Sequence, residues 1–561
     1  MSSDHPSDHS HPHDHSHPHA DDQPGDALSR RRLLQGVGAV GAGLALSPAM
    51  GGVAAAAPKG RRPQGDRPGR PYLYLAGDHH VHTKYSSDAV YEVGQHAQKA
   101  SEYGLDWLVI TDHGAVAHQK FSVEQTAQDI AATRAADPEL LVYHGLEWNI
   151  PGGEHATVFV APGSRDVATL KQFELDYDGA VLAATGRLSR ATENTARAEE
   201  LAYAGLRYLA AQRAAGAVPD VVMLANHVSR RGVDSPHELR GYRDAADSVG
   251  IGMEGAPGHQ AAGIPVSAGG IGDDRGFYGN TPNVDSHPGY ARERYFTYGG
   301  FDYNVTQVGG LWDSMLAEGL PFTITTTSDA HFVHEERFRR GGEPSQGTSA
   351  YYNTTGSYLP PVEDQAPQPT GDFWPGYYGS TLVAATGRSY TAVMEGLRRS
   401  RVYAVHGRLV DAVDLRVDAT GSNGEKGVTV GERTVARRGS NVAVTISVTL
   451  PSQPNFHGDL PVLAHVDLIA GPVTGPAADR DALTAPATRV VETFDVQRAP
   501  GRTVKLRYRF RNVTESFYLR LRGSDGRQLD GAGNPLVDVA GDADPWVDLW
   551  FYSNPVFVDV V

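Results

Sequence analysis

Cysteine is absent from the 561 residues. That excludes a disulfide framework, a thiolate metal site and a cysteine nucleophile, so any metal chemistry must use imidazole and carboxylate. Positive charge is also in deficit. The 50 Lys+Arg against 66 Asp+Glu give a formal net charge of -16, and such a chain lacks the broad basic face that general nucleic-acid binding requires. No nucleic-acid partner is expected, and small substrates are favoured over polyanions. The chain is long enough for roughly two to four units including tails. What it does hold in quantity is histidine, 24 residues in all.

Seven of those histidines lie in the opening stretch DHPSDHSHPHDHSHPH, a low-complexity segment with too little apolar surface to repay ordering. Metal scavenging and a tolerated polar leader are both open readings for it. Next come Ser29, Arg30, Arg31, Arg32, Leu33 and Leu34, a weakly apolar run to about Met50, and the small residues Ala54 to Ala57. This resembles a twin-arginine export signal, which would make the export machinery a partner and place the mature protein outside the cytoplasm, at the cell surface, in a periplasm or in the medium. The run falls short of the roughly 20 residues a spanning helix needs, so no stable membrane span is expected. The division predicted is a leader and signal over 1–57 and a Pro/Gly/Arg linker over 58–71, then a first folded domain over 72–407 and a second over 408–561.

From Tyr72 the text alternates short apolar runs with helical patterns: YLYLAGDHH, VGQHAQKASEYG, DWLVITDHG, an Asp/Ala/Gln-rich helix, then LLVYHGLEW. Strand, helix and strand in this order read as βα units around a parallel sheet. An insertion from about Val167 to Asp220 contains one predicted helix over Ala191 to Ala214, after which strands resume at VVMLANH, VGIGMEG and FTITTTSDAH. Two long loops rich in glycine and tyrosine, GFYGNTPNVDSHPGYARERYF and TSAYYNTTGSYLPP, suggest active-site covers. Beyond Gly407 the helical patterns stop. Period-two segments such as NVAVTISVTL, TVKLRYRF and SFYLRLRG read as an antiparallel β-sandwich.

Chemistry gathers at the strand ends of the first domain. The first strand runs into Asp78, His79, His80, Val81 and His82, and a His-x-His pair on extended backbone points both imidazoles one way. The second ends in Asp112 and His113, the third carries Glu147 with His155 soon after, VVMLAN ends in His227, and FTITTTS ends in Asp329 and His331. Five strand ends delivering such groups to one face would be costly to bury without a compensating charge. Divalent metal ions supply it, and the donor set suits Zn, Mn or Fe.

The order HVHT, TDHG, GLEW with a following His, NHV and SDAH resembles the PHP (polymerase and histidinol phosphatase) family over about residues 72 to 335. The resemblance implies a distorted (β/α)7 barrel and a centre of two or three metal ions. It implies that His80, His82, Glu147 and Asp329 form one site, that Glu147 bridges to a second with His155 and His227, and that Asp88, His113 and His331 form a third. His79 and Asp112 are expected to orient the ligands, and His144 is left open.

Metal-activated hydroxide makes hydrolysis of a small-molecule ester the expected reaction. Arg230 and Arg231, with Lys84, are candidate cations for phosphate oxygens, and His259 is a candidate proton donor to a leaving group. A solvated surface role for the cations and a turn role for His259 stay open beside these. The resemblance implies a phosphatase or phosphodiesterase first. A carboxyl-ester or carbamate hydrolase is the alternative, because the insertion, the SDAHF motif and the β-rich extension also resemble the aryl-carbamate metallohydrolases. A noncatalytic metal-dependent surface-binding protein is the reading from another class.

Overall fold

The computed structural model describes residues 72–279, 281–364, 366–420, 427–497 and 501–561. The leader, the export-type signal and the linker expected over 1–57 and 58–71 lie outside the described residues. Among the described residues no helix is long and apolar enough to cross a membrane.

Nine strands form a curved sheet that carries the strand-end residues. They are β1 (Leu73–Asp78), β2 (Trp107–Ile110), β3 (Leu141–Asn149), β4 (His155–Val160), β5 (Val221–Ala225), β6 (Gly250–Ala256), β7 (Thr323–Thr326), β8 (Gly379–Ala385) and β9 (Val402–His406), in the spatial order β9-β8-β1-β2-β3-β4-β5-β6-β7. The expected parallel rhythm is present but interrupted. The β1–β2, β2–β3, β5–β6 and β6–β7 pairs are parallel, whereas β4 and β8 are antiparallel to both neighbours. Sequence reading passed over β4, β8 and β9. Segment β4 follows β3 after a turn of five residues, too short for a crossover helix, so it returns as a hairpin.

Hydrogen bonding past the strand ends closes the sheet into a barrel. His82 N donates to Ala330 O at 3.1 Å and Asp329 N donates to His80 O at 2.9 Å, bringing the continuations of β1 and β7 side by side. Lower down, Thr326 N donates to Thr381 Oγ1 at 2.9 Å, joining β7 to β8. The barrel interior is filled by Leu75, Trp107, Val109, Tyr143, Phe159, Leu224, Ile251 and Val383. A Cβ at Gly77 would lie 2.0 Å from the Trp107 ring, so only glycine leaves that indole its place. Helices Val93–Glu102, Val123–Ala136, Asp166–Tyr177 and Ala196–Ala214 are among those covering the outside. The last begins five residues later than its composition suggests, because Thr195 caps it by accepting from Ala198 N at 3.2 Å.

The strands beyond Gly407 make the expected layers, antiparallel except for one pair. Segments β10 (Ala412–Asp418), β12 (Val442–Thr449) and β15 (Thr503–Phe510) form a three-stranded antiparallel sheet, whereas β11 (Arg433–Ala436) pairs in parallel with the last strand of the second layer. This sheet faces β13 (His465–Pro472), β14 (Arg489–Asp495), β16 (Phe517–Ser524), β17 (Trp550–Ser553) and β18 (Val556–Val560) across a core that includes Leu415, Ile446, Leu468, Leu519 and Val556. The second layer continues directly into the barrel sheet, with Tyr403, Ala404 and Val405 of β9 paired to Ser553, Tyr552 and Phe551 of β17.

Candidate metal centre

Residues at the carboxyl ends of the barrel strands meet in one buried cluster. On β1, Asp78 Oδ1 accepts from His80 N at 3.0 Å and Thr111 Oγ1 accepts from Val81 N at 2.9 Å, which holds the backbone so that His80 and His82 both project inward. Asp112 accepts from Thr83 N at 2.6 Å and so fixes the exit of the same loop. His79 turns away to Thr325 Oγ1 at 2.8 Å. His144 stands an odd number of residues from Glu147 on β3, so its side chain takes the opposite face and contributes nothing to the cluster.

Glu147 is the hub. Its Oε1 lies 3.0 Å from His80 Nε2 and 3.2 Å from both His155 Nδ1 and His227 Nε2, while its Oε2 lies 2.7 Å from His113 Nδ1 and 3.3 Å from His82 Nε2. Asp329 Oδ1 is 3.1 Å from both His80 Nε2 and His82 Nε2. On the third side Asp88 Oδ2 is 3.1 Å from His113 Nε2, and Asp88 Oδ1 is 3.7 Å from His331 Nε2. All nine residues expected as ligands therefore come together. His82, Asp88, His113 and His331 form one tight group of donor atoms, and His80, His82 and Asp329 another; a third is His113, Glu147 and His155.

Whether these residues suit metal ions can be judged from their lone pairs. Glu147 Oε2, Asp329 Oδ1, Asp88 Oδ1, His155 Nδ1 and His331 Nε2 are all buried without an aligned hydrogen-bond partner, although other polar atoms crowd them. His80 Nε2 and His82 Nε2 face each other at 3.0 Å. Asn226 Nδ2 donates to Glu147 Oε1 at 3.0 Å, but the lone pairs that remain converge on a charge deficit that cations of the expected type fill. Burial works against charge on His80 and His113, but the neighbouring carboxylates Asp329 and Glu147 for the one, Asp88 and Glu147 for the other, lift both pKa values well above the usual imidazole value. Protons and metal ions thus compete for the same atoms. Three residues of the centre, His227, His259 and Asp329, hold positive φ values of 29°, 54° and 46°, a backbone cost that tertiary structure sustains at functional sites.

The catalytic candidates separate. His259 enters the cluster from the end of β6: its Nε2 is 2.9 Å from Asp329 Oδ2 and its Nδ1 is 2.5 Å from Asp372 Oδ1. Arg230 is buried, and its charge acts on His227 and Glu154. Arg231 sits at the rim, 38% exposed, with Nε 4.0 Å from Glu154 Oε1. Lys84 is turned to Glu92 Oε1 at 3.0 Å, so its charge is already answered outside the centre. The centre opens on the side of Asp88, His113 and His155, whose side chains are 30, 18 and 19% exposed.

Several residues of the surround were not in the sequence reading. Asp372, in a loop far along the chain, accepts from His331 N at 2.6 Å and Phe332 N at 2.9 Å besides holding His259. Ser86 pairs with His82 Nδ1 at 2.8 Å. Glu254, on β6, pairs with His80 Nδ1 at 2.7 Å and accepts from His227 N at 2.7 Å. Glu154 adjoins His155 and His227. Its position directly before a ligand was the one available signal.

Residues 78–214 match the PHP domain family. The chain carries a PHP domain. The matched segment supplies His80, His82, Asp88, His113, Glu147 and His155; the barrel brings His227, Asp329 and His331 to them from outside it. No curated protein matches the chain. Among solved structures, a two-domain protein from Bacteroides vulgatus containing a predicted PHP-like metal-dependent phosphoesterase is 14% identical, covering 84% of this chain and 95% of its own, with a TM-score of 0.32. A candidate metal-dependent phosphoesterase from Bifidobacterium adolescentis is 16% identical, covering 32% of this chain and 76% of its own, with a TM-score of 0.18. TM-scores this low carry no inference about chemistry.

Proposed function

We propose that the protein is a metal-dependent hydrolase of small phosphoesters. The observation that carries this is the convergence of nine His, Asp and Glu side chains, six of them with a buried polar atom that has no hydrogen-bond partner, within a barrel that bears a PHP domain. His80, His82, Glu147 and Asp329 would hold one ion, Glu147, His155 and His227 a second, and Asp88, His113 and His331 a third. Bound divalent ions supply Lewis acidity and a hydroxide nucleophile near neutral pH.

The chain's own groups supply the rest. Arg231 at the rim and Arg230 beneath it offer positive charge to nonbridging oxygens of the substrate. His259 holds a proton: burial opposes its charge, but Asp329 and Asp372 raise its pKa to about 10 in the metal-free cluster. Asp372 accepts from Nδ1, which fixes the ring so that Nε2 faces the centre, placed to protonate a departing oxygen. Burial of the cluster excludes water from all but the Asp88, His113 and His155 side.

The test is turnover by protein stripped of metal and reloaded with Zn, Mn or Fe, on nitrophenyl phosphate, bis-nitrophenyl phosphate and naphthyl methylcarbamate. Metal-dependent hydrolysis of either phosphate is expected. Turnover of the carbamate alone would sink the phosphoester reading, and no metal-dependent turnover of any of the three would point to a binding role.

A further inference from the structure

Four imidazoles of the centre share one arrangement, whereas His113 and His155 meet Glu147 through Nδ1. His80, His82, His259 and His331 each turn Nε2 toward the centre and engage an outer group through Nδ1: Glu254 Oε1 at 2.7 Å, Ser86 Oγ at 2.8 Å, Asp372 Oδ1 at 2.5 Å and the Asp329 carbonyl at 2.8 Å. At the ligands His80, His82 and His331 such outer partners fix the tautomer that leaves Nε2 free to ligate. His227 also turns Nε2 inward, 3.2 Å from Glu147 Oε1. Its Nδ1, however, is buried without a partner.

Glu154 Oε1 lies 3.9 Å from that Nδ1. Glu154 is 2% exposed, and neither of its carboxylate oxygens has a hydrogen-bond partner. Burying an ionised carboxylate unsatisfied is expensive. The charged and titratable groups around it are His155, His227, Arg230 and Arg231, with Asp234 on the other side, where Glu154 N donates to Asp234 Oδ1 at 3.4 Å.

We infer that Glu154 is the outer carboxylate of His227, a positioning residue that accepts the Nδ1 proton when Nε2 ligates. This rests on the metal-dependent reading above. The 3.9 Å gap fits the inference. In the metal-free centre the Nε2 contact with Glu147 places the ring proton on Nε2, and the Nδ1 lone pair then faces a carboxylate and repels it. Moving that one proton to Nδ1 converts the repulsion into a charge-assisted hydrogen bond and frees Nε2. Glu154 thereby couples occupancy of the Glu147, His155 and His227 site to the tautomer of one ring.

Full-length wild type, Glu154→Gln and Glu154→Ala are stripped of metal and titrated with zinc against a competing chelator, reading bound zinc and thermal midpoint. One ion should bind about 10–100-fold more weakly in Glu154→Ala, with Glu154→Gln between it and wild type, the other ions unchanged, and the metal-free midpoint of neither variant below that of wild type. Cobalt-loaded Glu154→Gln should keep the visible absorption bands of wild type. Unchanged affinity for every ion in both variants would overturn the inference. So would equal loss of midpoint with and without metal, which marks a packing role, or a shift of the cobalt bands, which marks a direct ligand. A wild type that binds no ion overturns the metal-centre reading itself, a result distinct from each of these.

Discussion

His144 occupies the same strand as Glu147 but points out of the barrel, and both its ring nitrogens are buried without partners. Burial, aided by the charges of His118 and Arg134, lowers its pKa to about 3 from the ordinary value of 6.5. Between those values the unfolded chain binds a proton that the folded chain refuses, so stability rises with pH across that window and is lost as pH falls below 6.5. At pH 5 the penalty is about 2 kcal/mol. His144→Leu removes it without stranding a partner, and should stabilise the protein by about that amount at pH 5 relative to its effect at pH 8, read from denaturant unfolding at both values. An equal effect at both would show that His144 does not titrate in this way. The same residue marks where sequence legibility stopped. Most of the ligands could be found because they stand at strand ends, and strand ends share a face; Asp88, in a loop, followed only from the family resemblance. His144 could not be placed until the register put it on the other face, and Asp372 could not be found because nothing near it in the chain announces which histidine it will meet.

At the scale of elements, loops decide what strands cannot. The excursion after β7 contains a helix, Ser349–Thr355, and lies over the loop that presents Asp88. Tyr352 Oη donates to Tyr85 O at 2.6 Å, Tyr358 Oη donates to Ser87 O at 2.8 Å, and Tyr358 N donates to Lys84 O at 2.9 Å. The tyrosine-rich text suggested a cover from length alone; these bonds show it acting as a clamp on residues 84–88. Removing both hydroxyls by Tyr352→Phe with Tyr358→Phe costs about 1 kcal/mol per bond and loosens Asp88. The ion assigned to Asp88, His113 and His331 should then dissociate several-fold faster than the others, measured by the phases of metal release to a chelator. Uniform release of all ions would show that the clamp does not act on that site. The antiparallel return β4 belongs to this scale too: its short turn places His155 opposite Asn149, a consequence of hairpin register that a strict βα reading misses.

For the whole molecule, the sequence marks a change of pattern at Gly407, and the fold is continuous there. Asn554, between β17 and β18, accepts from Ile324 N at 2.9 Å and donates to Ile324 O at 2.9 Å and Val402 O at 3.2 Å, so a side chain from the C-terminal layer clips β7 to β9. Arg520 of β16 reaches Asp313 of the barrel side through Nε at 2.9 Å and Nη2 at 2.8 Å, both side chains fully buried. Removing one partner of such a pair strands the other charge, at about 3–5 kcal/mol. A β-rich appendage that merely sat beside the barrel would leave it foldable alone. One that supplies the clip, the counter-charge and the neighbouring strand would not. A fragment of residues 72–407 exposes the β9 edge and deprives Asp313 of its guanidinium, and should lack a cooperative unfolding transition. Asp313→Ala in the full chain should lower stability by about 3–5 kcal/mol and shift the unfolding of both layers together, followed by tryptophan fluorescence and by proteolysis of each layer. A fragment that unfolds cooperatively and binds zinc as the full chain does would show that the two layers fold independently and that the metal centre owes nothing to the strands beyond 407.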